Sequence, residues 1–341
     1  MSSNNLFSTV NIRGVDFPNR IVVPPMCQYS AHEGYVDDWH LVNLGRFAMG
    51  GAGLIITEAT AVQKKGRITH GCPGIWKDEQ IIGHSRIAQF ISRNGAIPGI
   101  QLGHAGRKAS MQRPWYGNGP LNEDDFERGD MPWNIVAPSA CSVGEGWQIP
   151  EEMSEEQICE LIDDFIAAAR RAISAGYKVI ELHGAHGYLI HSFLSPVSNK
   201  RTDKYGGDLH GRMKLAIDIS SALRRSISDE MPLFFRVSST DNLENGWSIE
   251  DSVELAKELK KVGVDVIDCS SGGISGSATA ARGKRMPGYQ VPFAEKIKQN
   301  ANIMTMAVGL ITHPEQANQI IESGKADYVA VAREALFNPM W

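Results

Sequence analysis

Short apolar runs, several of them rich in β-branched residues, recur along the chain at 21–24, 54–58, 97–102, 179–183, 233–237, 266–269, 304–308 and 328–331. Each is apolar almost throughout and does not alternate with polar positions, the pattern of a parallel strand covered on both faces. Longer stretches with helical periodicity lie between them, among them 155–175, 211–227, 249–262 and 314–323. Ser154 ahead of Glu155 and Gln157, and Ser248 ahead of Glu250 and Asp251, mark helix starts, because a serine oxygen caps free N–H groups of the first turn. Gly176, Gly263 and Gly324 mark helix ends, where the chain often turns left-handed. The unit AGYKVIEL returns in kind as VGVDVIDC and SGKADYVAV: helix, glycine, turn, strand. Repeated strand–helix units predict an α/β fold with a parallel sheet, and eight of them favour closure into a (β/α)8, or TIM, barrel.

Two segments depart from a minimal barrel. VNIRGVDF alternates around Arg13 and Gly14, so it reads as an N-terminal β-hairpin plugging the amino end. The stretch 103–150 after the third strand is rich in Gly, Pro, Trp and acidic residues. It is too long for a simple strand–helix loop and is expected to be functional. Its acidic run 122–130 reads as a solvated loop face. No domain boundary is evident, so residues 1–341 are expected to form one domain.

A chain of 341 residues, 42% hydrophobic and 21% charged, suits one barrel with insertions. The net charge of -5 gives no electrostatic reason to expect nucleic acid. No apolar run approaches the roughly 18 residues that would span a bilayer. The opening MSSNNLFSTVNIRG lacks the blocks of a signal peptide. Cys27, Cys72, Cys141, Cys159 and Cys269 are scattered without a CxxC pair. That argues against a disulfide framework and against a zinc or iron–sulfur site, and places the expected home in a reducing cytoplasm.

In such a barrel the strand interiors are packed shut and the chemistry sits on the loops that follow the strands. Pro25, Met26, Cys27, Gln28 and Tyr29 follow the first strand, and Glu58 and Ala59 end the second. Gln101 and GHAGRK close the third; His183, His186 and Tyr188 follow the fourth. Arg236 ends the fifth, Ser270 and Ser271 follow the sixth, Gly309 the seventh, and Ala332 and Arg333 the eighth. Gly309 with Ala332 and Arg333 matches the fold's usual phosphate site, where backbone N–H groups and a helix start meet an anion. The alternative, a turning glycine and an arginine on a helix surface, stays open at this point. His183 and His186 could offer two imidazoles to zinc, but third and fourth ligands are not evident apart from Glu58. Two donors aimed at a substrate oxygen, with Tyr188 as proton source, fit equally well, and satisfied rim histidines remain a third reading. A lone Cys27 is more often a small packed side chain than a nucleophile, and no paired base is evident.

PPMCQYS, EATAV, IQLGHAGRKAS, HGAHGYLIHSFLSP, SNKRTDKYGG, RVS and AREALFNP stand in this order. From about Asn19 to Trp341 the chain thereby resembles the old yellow enzyme family, in the bacterial branch that includes the xenobiotic reductases. That branch carries a cysteine in the first loop and a histidine pair after strand four. The resemblance implies a TIM barrel with non-covalent FMN at its mouth. Pro24, Pro25, Met26 and Cys27 would line the flavin, with Cys27 near its reactive edge, while Ala59, Gln101 and Arg236 would hold the pyrimidine side. Gly309, Ala332 and Arg333 would take the phosphate. His183 and His186 would hydrogen-bond the acceptor's oxygen, Tyr29 would pack the site, and Tyr188 would donate a proton.

The implied activity is that of an ene-reductase, or NADPH dehydrogenase. NADPH, with NADH as second choice, would reduce the flavin, and an enone, enal or nitro acceptor would reoxidise it in a ping-pong cycle. The family also implies a homodimer or homotetramer, and a last helix and tail beyond the point where this sequence stops. No intersubunit arginine is argued here. The 103–150 stretch is longer than in the shortest relatives, so Trp115, Tyr116 or Trp133 would shape the acceptor pocket. Three alternatives stand beside this reading. One is a 2,4-dienoyl-CoA reductase-like or amine-oxidising flavoenzyme, although its Cys-rich cluster segment is missing here. The others are a zinc-dependent barrel hydrolase on His183 and His186, and a non-catalytic FMN-binding protein.

Overall fold

The computed structural model describes residues 5–276 and 285–341; the first four residues of the opening segment lie outside the described residues. Eight parallel strands close into a barrel. They are β1 (Ile21–Val23), β2 (Leu54–Ala61), β3 (Ile97–Gly103), β4 (Val179–Gly184), β5 (Leu233–Ser238), β6 (Val266–Ser270), β7 (Met304–Ala307) and β8 (Tyr328–Ala330). Strand β8 pairs back onto β1, Val329 opposite Ile21, and closes the ring. All eight expected strands are present with ends shifted by about a residue, except that β2 runs on to Ala61 through a register shift between Thr57 and Thr60. Such an irregularity re-aims side chains at a barrel rim, and here it falls on Glu58 and Ala59.

Each strand is followed by a helix: α1 (Asp38–Met49), α2 (Ile81–Arg93), α3 (Glu155–Ser174), α4 (Leu209–Ser226), α5 (Ile249–Lys261), α6 (Val291–Ala301), α7 (Pro314–Glu322) and the short α8 (Arg333–Phe337). Their starts follow the sequence signals. Ser154 accepts from the Gln157 N–H while Gln157 accepts from Ser154, and Ser248 and Asp251 repeat the arrangement. In α3 the buried positions Ile158, Leu161, Phe165, Ala168, Ala169 and Ala172 form one stripe against the barrel. Gly176, Gly263 and Gly324 end helices with φ of 98°, 94° and 72°.

The hairpin of Val10–Ile12 and Val15–Phe17 closes the amino end, as the alternation predicts. Ile12 and Phe17 pack with Val22, Leu54, Val179, Phe234, Val266 and Tyr328 in one apolar layer. The Phe17 ring meets Tyr328 edge-on at 5.5 Å and stacks on Phe234 at 6.3 Å. Outside, Arg13 Nε lies 2.7 Å from Asp265 and the Gly14 N–H donates to Glu230 C=O. Because the plug is remote from the mouth, Phe17→Ala is expected to lower unfolding free energy by about 3–5 kcal/mol in denaturant melts. Activity per folded molecule should stay unchanged.

The 103–150 segment has structure of its own. It carries a short helix, Glu123–Glu127, and the strand Val136–Ala137, paired with Glu151–Glu152. The expected solvated face at 122–130 is corrected at Asp125, which is buried. Asp125 accepts from Gln112 Nε2 at 2.7 Å and from the Asn122 N–H at 2.9 Å, and pairs with Arg128. A capping box turns this acid inward, whereas Glu123, Asp124 and Glu127 stay exposed and Asp130, partly buried, pairs with Arg113 at 3.0 Å.

Candidate active site

Side chains on a strand alternate faces, so inward positions fall two apart. On β4 they are Val179, Glu181 and His183; on β5, Phe234, Arg236 and Ser238; on β6, Val266, Asp268 and Ser270. The lowest of each set belongs to the apolar plug layer. Above it the barrel interior turns polar while staying buried, against the expectation of runs apolar almost throughout. Gln101 Nε2 donates to Glu181 Oε1 at 2.8 Å, and Asp268 Oδ2 lies 3.1 Å from Arg236 Nε. No side-chain nitrogen of Arg236, Nε included, makes a hydrogen bond to another described residue, although the side chain is buried.

The histidine pair stands on this layer. The His183 and His186 rings meet edge-on at 5.3 Å, and His183 meets the Tyr188 ring edge-on at 5.0 Å. His183 Nδ1 accepts from the Ala185 N–H at 3.3 Å, which puts its proton on Nε2. His186 Nε2 is engaged by Ser270 Oγ at 2.7 Å, and its own N–H donates to Ser238 Oγ at 2.9 Å. Burial first, and then the charge of Arg236, hold both imidazoles well below the usual 6.5, so both are neutral donors.

The loop is pinned from several sides, which lets His186 keep a φ of 61°. Lys108, fully buried, donates from Nζ to the His186 carbonyl at 2.9 Å and to the Gly273 carbonyl. The Gly187 N–H donates to His191 Nδ1 at 2.8 Å, and His191 Nε2 lies 2.9 Å from Asp241 Oδ1. Asp241 is held in turn by Ser195 Oγ and the Trp247 N–H.

The first loop reaches the site from the other side. Glu58 Oε2 accepts from the Gln28 N–H at 2.8 Å. Burial raises this acid to about 8, partly offset by the N–H groups of Gln28 and Tyr29. Burial likewise pushes the Cys27 thiol up, with Glu58 adding to it, so the thiolate a nucleophile needs is disfavoured. Tyr29 and Tyr188 are also raised, chiefly by burial, and hold their protons. Tyr188 packs with Cys27, Tyr29, Ala59 and Cys72.

A cavity of about 270 Å³ is lined by Pro25, Cys27, Tyr29, Gln101, His183, His186, Tyr188 and Arg236, with Pro114 from the long segment. A second, of about 590 Å³, shares His186 and Arg236 and runs out to Gly309, Ala332 and Arg333. There Gly309 and Leu310 have successive positive φ, 119° and 53°. Twelve of the fourteen expected residues thus converge, counting Ala59, which touches the same cluster. Pro24 is buried behind the loop, and Met26 packs outward with Val23, Leu44 and Phe47. Trp115 meets Tyr29 edge-on at 6.2 Å, whereas Trp133 lines a separate pocket with Trp147 and Phe126.

The zinc reading finds no third ligand: among the described residues no three of His, Cys, Asp or Glu group around a metal position. The residues missed from sequence are Glu181, Asp268, His191 and Asp241; Lys108, Ser238 and Ser270 fall at the expected mouth but receive no role from sequence. Counting back two positions from His183 and Ser270 would have found the two acids.

The sequence pattern of the "NADH:flavin oxidoreductase / NADH oxidase family" matches residues 5–341. An NADPH dehydrogenase of Geobacillus sp. (strain WCH70) is 45% identical over 338 residues, 98% of this chain and 92% of that protein. Among solved structures, 2-naphthoyl-CoA reductase with 2-naphthoyl-CoA superposes with a TM-score of 0.87 at 26% identity over 98% of this chain. The present chain spans only about half, 51%, of that protein. Morphinone reductase superposes with a TM-score of 0.80 over 99% of this chain and 88% of its own; at 24% identity this likeness speaks for the fold.

Proposed function

The chain belongs to the NADH:flavin oxidoreductase / NADH oxidase family, that of the old yellow enzymes, and from that premise we propose an FMN-dependent ene-reductase. Its acceptors are α,β-unsaturated ketones, aldehydes or nitro compounds, reduced at the expense of NADPH. One observation carries this reading. Two neutral imidazoles and a protonated phenol converge on a cavity that shares His186 and Arg236 with a larger cavity ending at Gly309, Ala332 and Arg333.

The larger cavity, about 590 Å³, lies in the ordinary range for cofactor sites, and its ends differ as those of FMN do. At the inner end, where it meets the smaller cavity, the uncommitted Nη groups of Arg236, with Gln101 from the smaller cavity, would hold the pyrimidine ring. At the outer end backbone N–H groups about Gly309, with Arg333, would take the phosphate. Bound FMN would supply a hydride carrier that is loaded by the nicotinamide and unloaded onto the β-carbon of the acceptor in two alternating half-reactions. His183 and His186 would donate N–H groups to the acceptor's oxygen as negative charge gathers there. Tyr188 would give the proton at the α-carbon, and Tyr29 and Cys27 would wall the site.

On this reading residues 1–341 are one FMN-binding domain, assembled as a homodimer or homotetramer. Among the described residues no helix is long and apolar enough to cross a membrane. The test is an anaerobic absorbance titration of the purified protein. Flavin bands that bleach with NADPH and return with 2-cyclohexen-1-one are expected. A colourless protein that FMN does not reconstitute would remove the reading.

A further inference from the structure

Beneath the acceptor cavity, four consecutive strands point polar side chains into the barrel interior: Gln101 from β3, Glu181 from β4, Arg236 from β5 and Asp268 from β6. Register sets Gln101 opposite Glu181 and Arg236 opposite both Asp268 and His183, with Glu181 two positions below His183 on the same inward face of β4. Glu181 and Asp268 are 0% exposed, Gln101 1% and Arg236 8%. Two carboxylates and a single guanidinium therefore lie in the barrel interior away from water. His183, directly above, is held neutral, and Glu58 is occupied with the first loop. With both acids ionised the layer would carry an unpaired negative charge, which a dry interior resolves by keeping a proton.

The contacts say where that proton sits. Asp268 Oδ2 is 3.1 Å from Arg236 Nε, an ion-pair distance, although neither Asp268 oxygen makes a hydrogen bond among the described residues. Glu181 has no cation in contact; its Oε1 accepts from Gln101 Nε2 at 2.8 Å and its Oε2 has no partner among the described residues. We propose that Glu181 and Asp268 hold one proton between them, carried on Glu181, so that Arg236 faces the flavin as half of a neutralised pair. The two acids are positioning residues that act on the cofactor through Arg236 and Gln101. Glu181 is raised to about 8, by burial first and by Asp268 next, and Asp268 is raised by burial against the pull of Arg236. Both directions fit a shared proton.

The proposal rests on the reading that Arg236 and Gln101 hold FMN, and it makes a non-additive prediction. If one acid is lost, the other ionises in its place; only loss of both leaves Arg236 unopposed. Equilibration of the holoenzyme with a reference dye should therefore show Glu181→Gln within about twofold of wild type. Asp268→Asn alone should be similarly mild, because Glu181 gives up its proton. The double variant should favour reduced flavin at least tenfold, about 30 mV for a two-electron couple. Single variants whose shifts add up to the double would mean that both acids are ionised, and would overturn the proposal.

Infrared spectra of the apoprotein keep the test open where a variant does not take up FMN. A protonated-carboxyl band should move with isotope-labelled glutamate but not with labelled aspartate. Glu58, also raised to about 8 by burial, adds a second glutamate band, so the band should weaken but persist in Glu58→Gln and vanish only when Glu181→Gln is added to it. Absence of that band, or its movement with aspartate, refutes the shared proton as proposed. Apoprotein that shows the band but binds no FMN refutes instead the flavin reading.

Discussion

Chemically reduced His183→Ala enzyme is expected to be reoxidised by 2-cyclohexen-1-one about 100-fold more slowly than wild type, and His183→Ala/His186→Ala about 1,000-fold more slowly. Reducing the protein beforehand isolates the acceptor step from nicotinamide binding. The effect is large because the donors act where water is scarce: His183 is buried and His186 half-buried. The ring orientation is fixed in advance by the Ala185 N–H on His183 and by Ser270 on His186. One preorganised donor of this kind is worth about 10²–10³ in rate, and because the two serve one oxygen as a unit, loss of the second adds less than the first.

His186→Asn is the clean control. Asparagine tolerates the left-handed backbone that His186 adopts at φ 61°, and it keeps an N–H donor. It should stay within about tenfold of wild type, which a lost general base or metal ligand would not allow. The pH profile separates neutral donors from cationic ones. Both pKa values lie well below 6.5, so the neutral form is complete above the depressed values and is lost only as pH falls through them. An acid limb centred at 6.5 would mean ordinary histidines and would sink the neutral-donor reading.

Much of this fold was legible because doubly covered strands are uninterrupted apolar runs. The helices between them announce their ends through Ser154, Ser248 and the glycines that follow. The rim residues were legible because they sit directly after those runs. What escaped lies inside the runs themselves. Glu181 in VIELH and Asp268 in VIDCS look like blemishes in apolar strands until the two-residue period is laid on them. Lys108 and His191 escaped for another reason: they bond a backbone carbonyl and a backbone N–H of a neighbouring loop, a role without sequence periodicity. Met26 shows the reverse limit. A motif match supplies the residue but not its direction, and the side chain packs towards Leu44 and Phe47.

Tyr188→Phe is expected to lower turnover of 2-cyclohexen-1-one about 100- to 1,000-fold with little change in stability. The ring would keep its packing against Ile68, Cys72 and Met111 and its edge contact with His183 at 5.0 Å. What it loses is the acid. Burial, with Cys27 and Cys72 adding to it, raises the phenol well above 10, so Tyr188 is protonated at every working pH. So weak an acid surrenders its proton only to a strong base such as the carbanion beside a ketone carbonyl. A nitro group stabilises that carbanion far better, leaving an anion that water can protonate at leisure. The loss should therefore shrink to about tenfold or less for a nitro-olefin. For wild type, a raised pKa keeps the acid form full until pH climbs past it, so the alkaline limb should lie above 10. A limb at an ordinary phenol value, or equal losses for the enone and the nitro-olefin, would take the proton donor's role away from Tyr188 and give Tyr29 or a water the stronger claim.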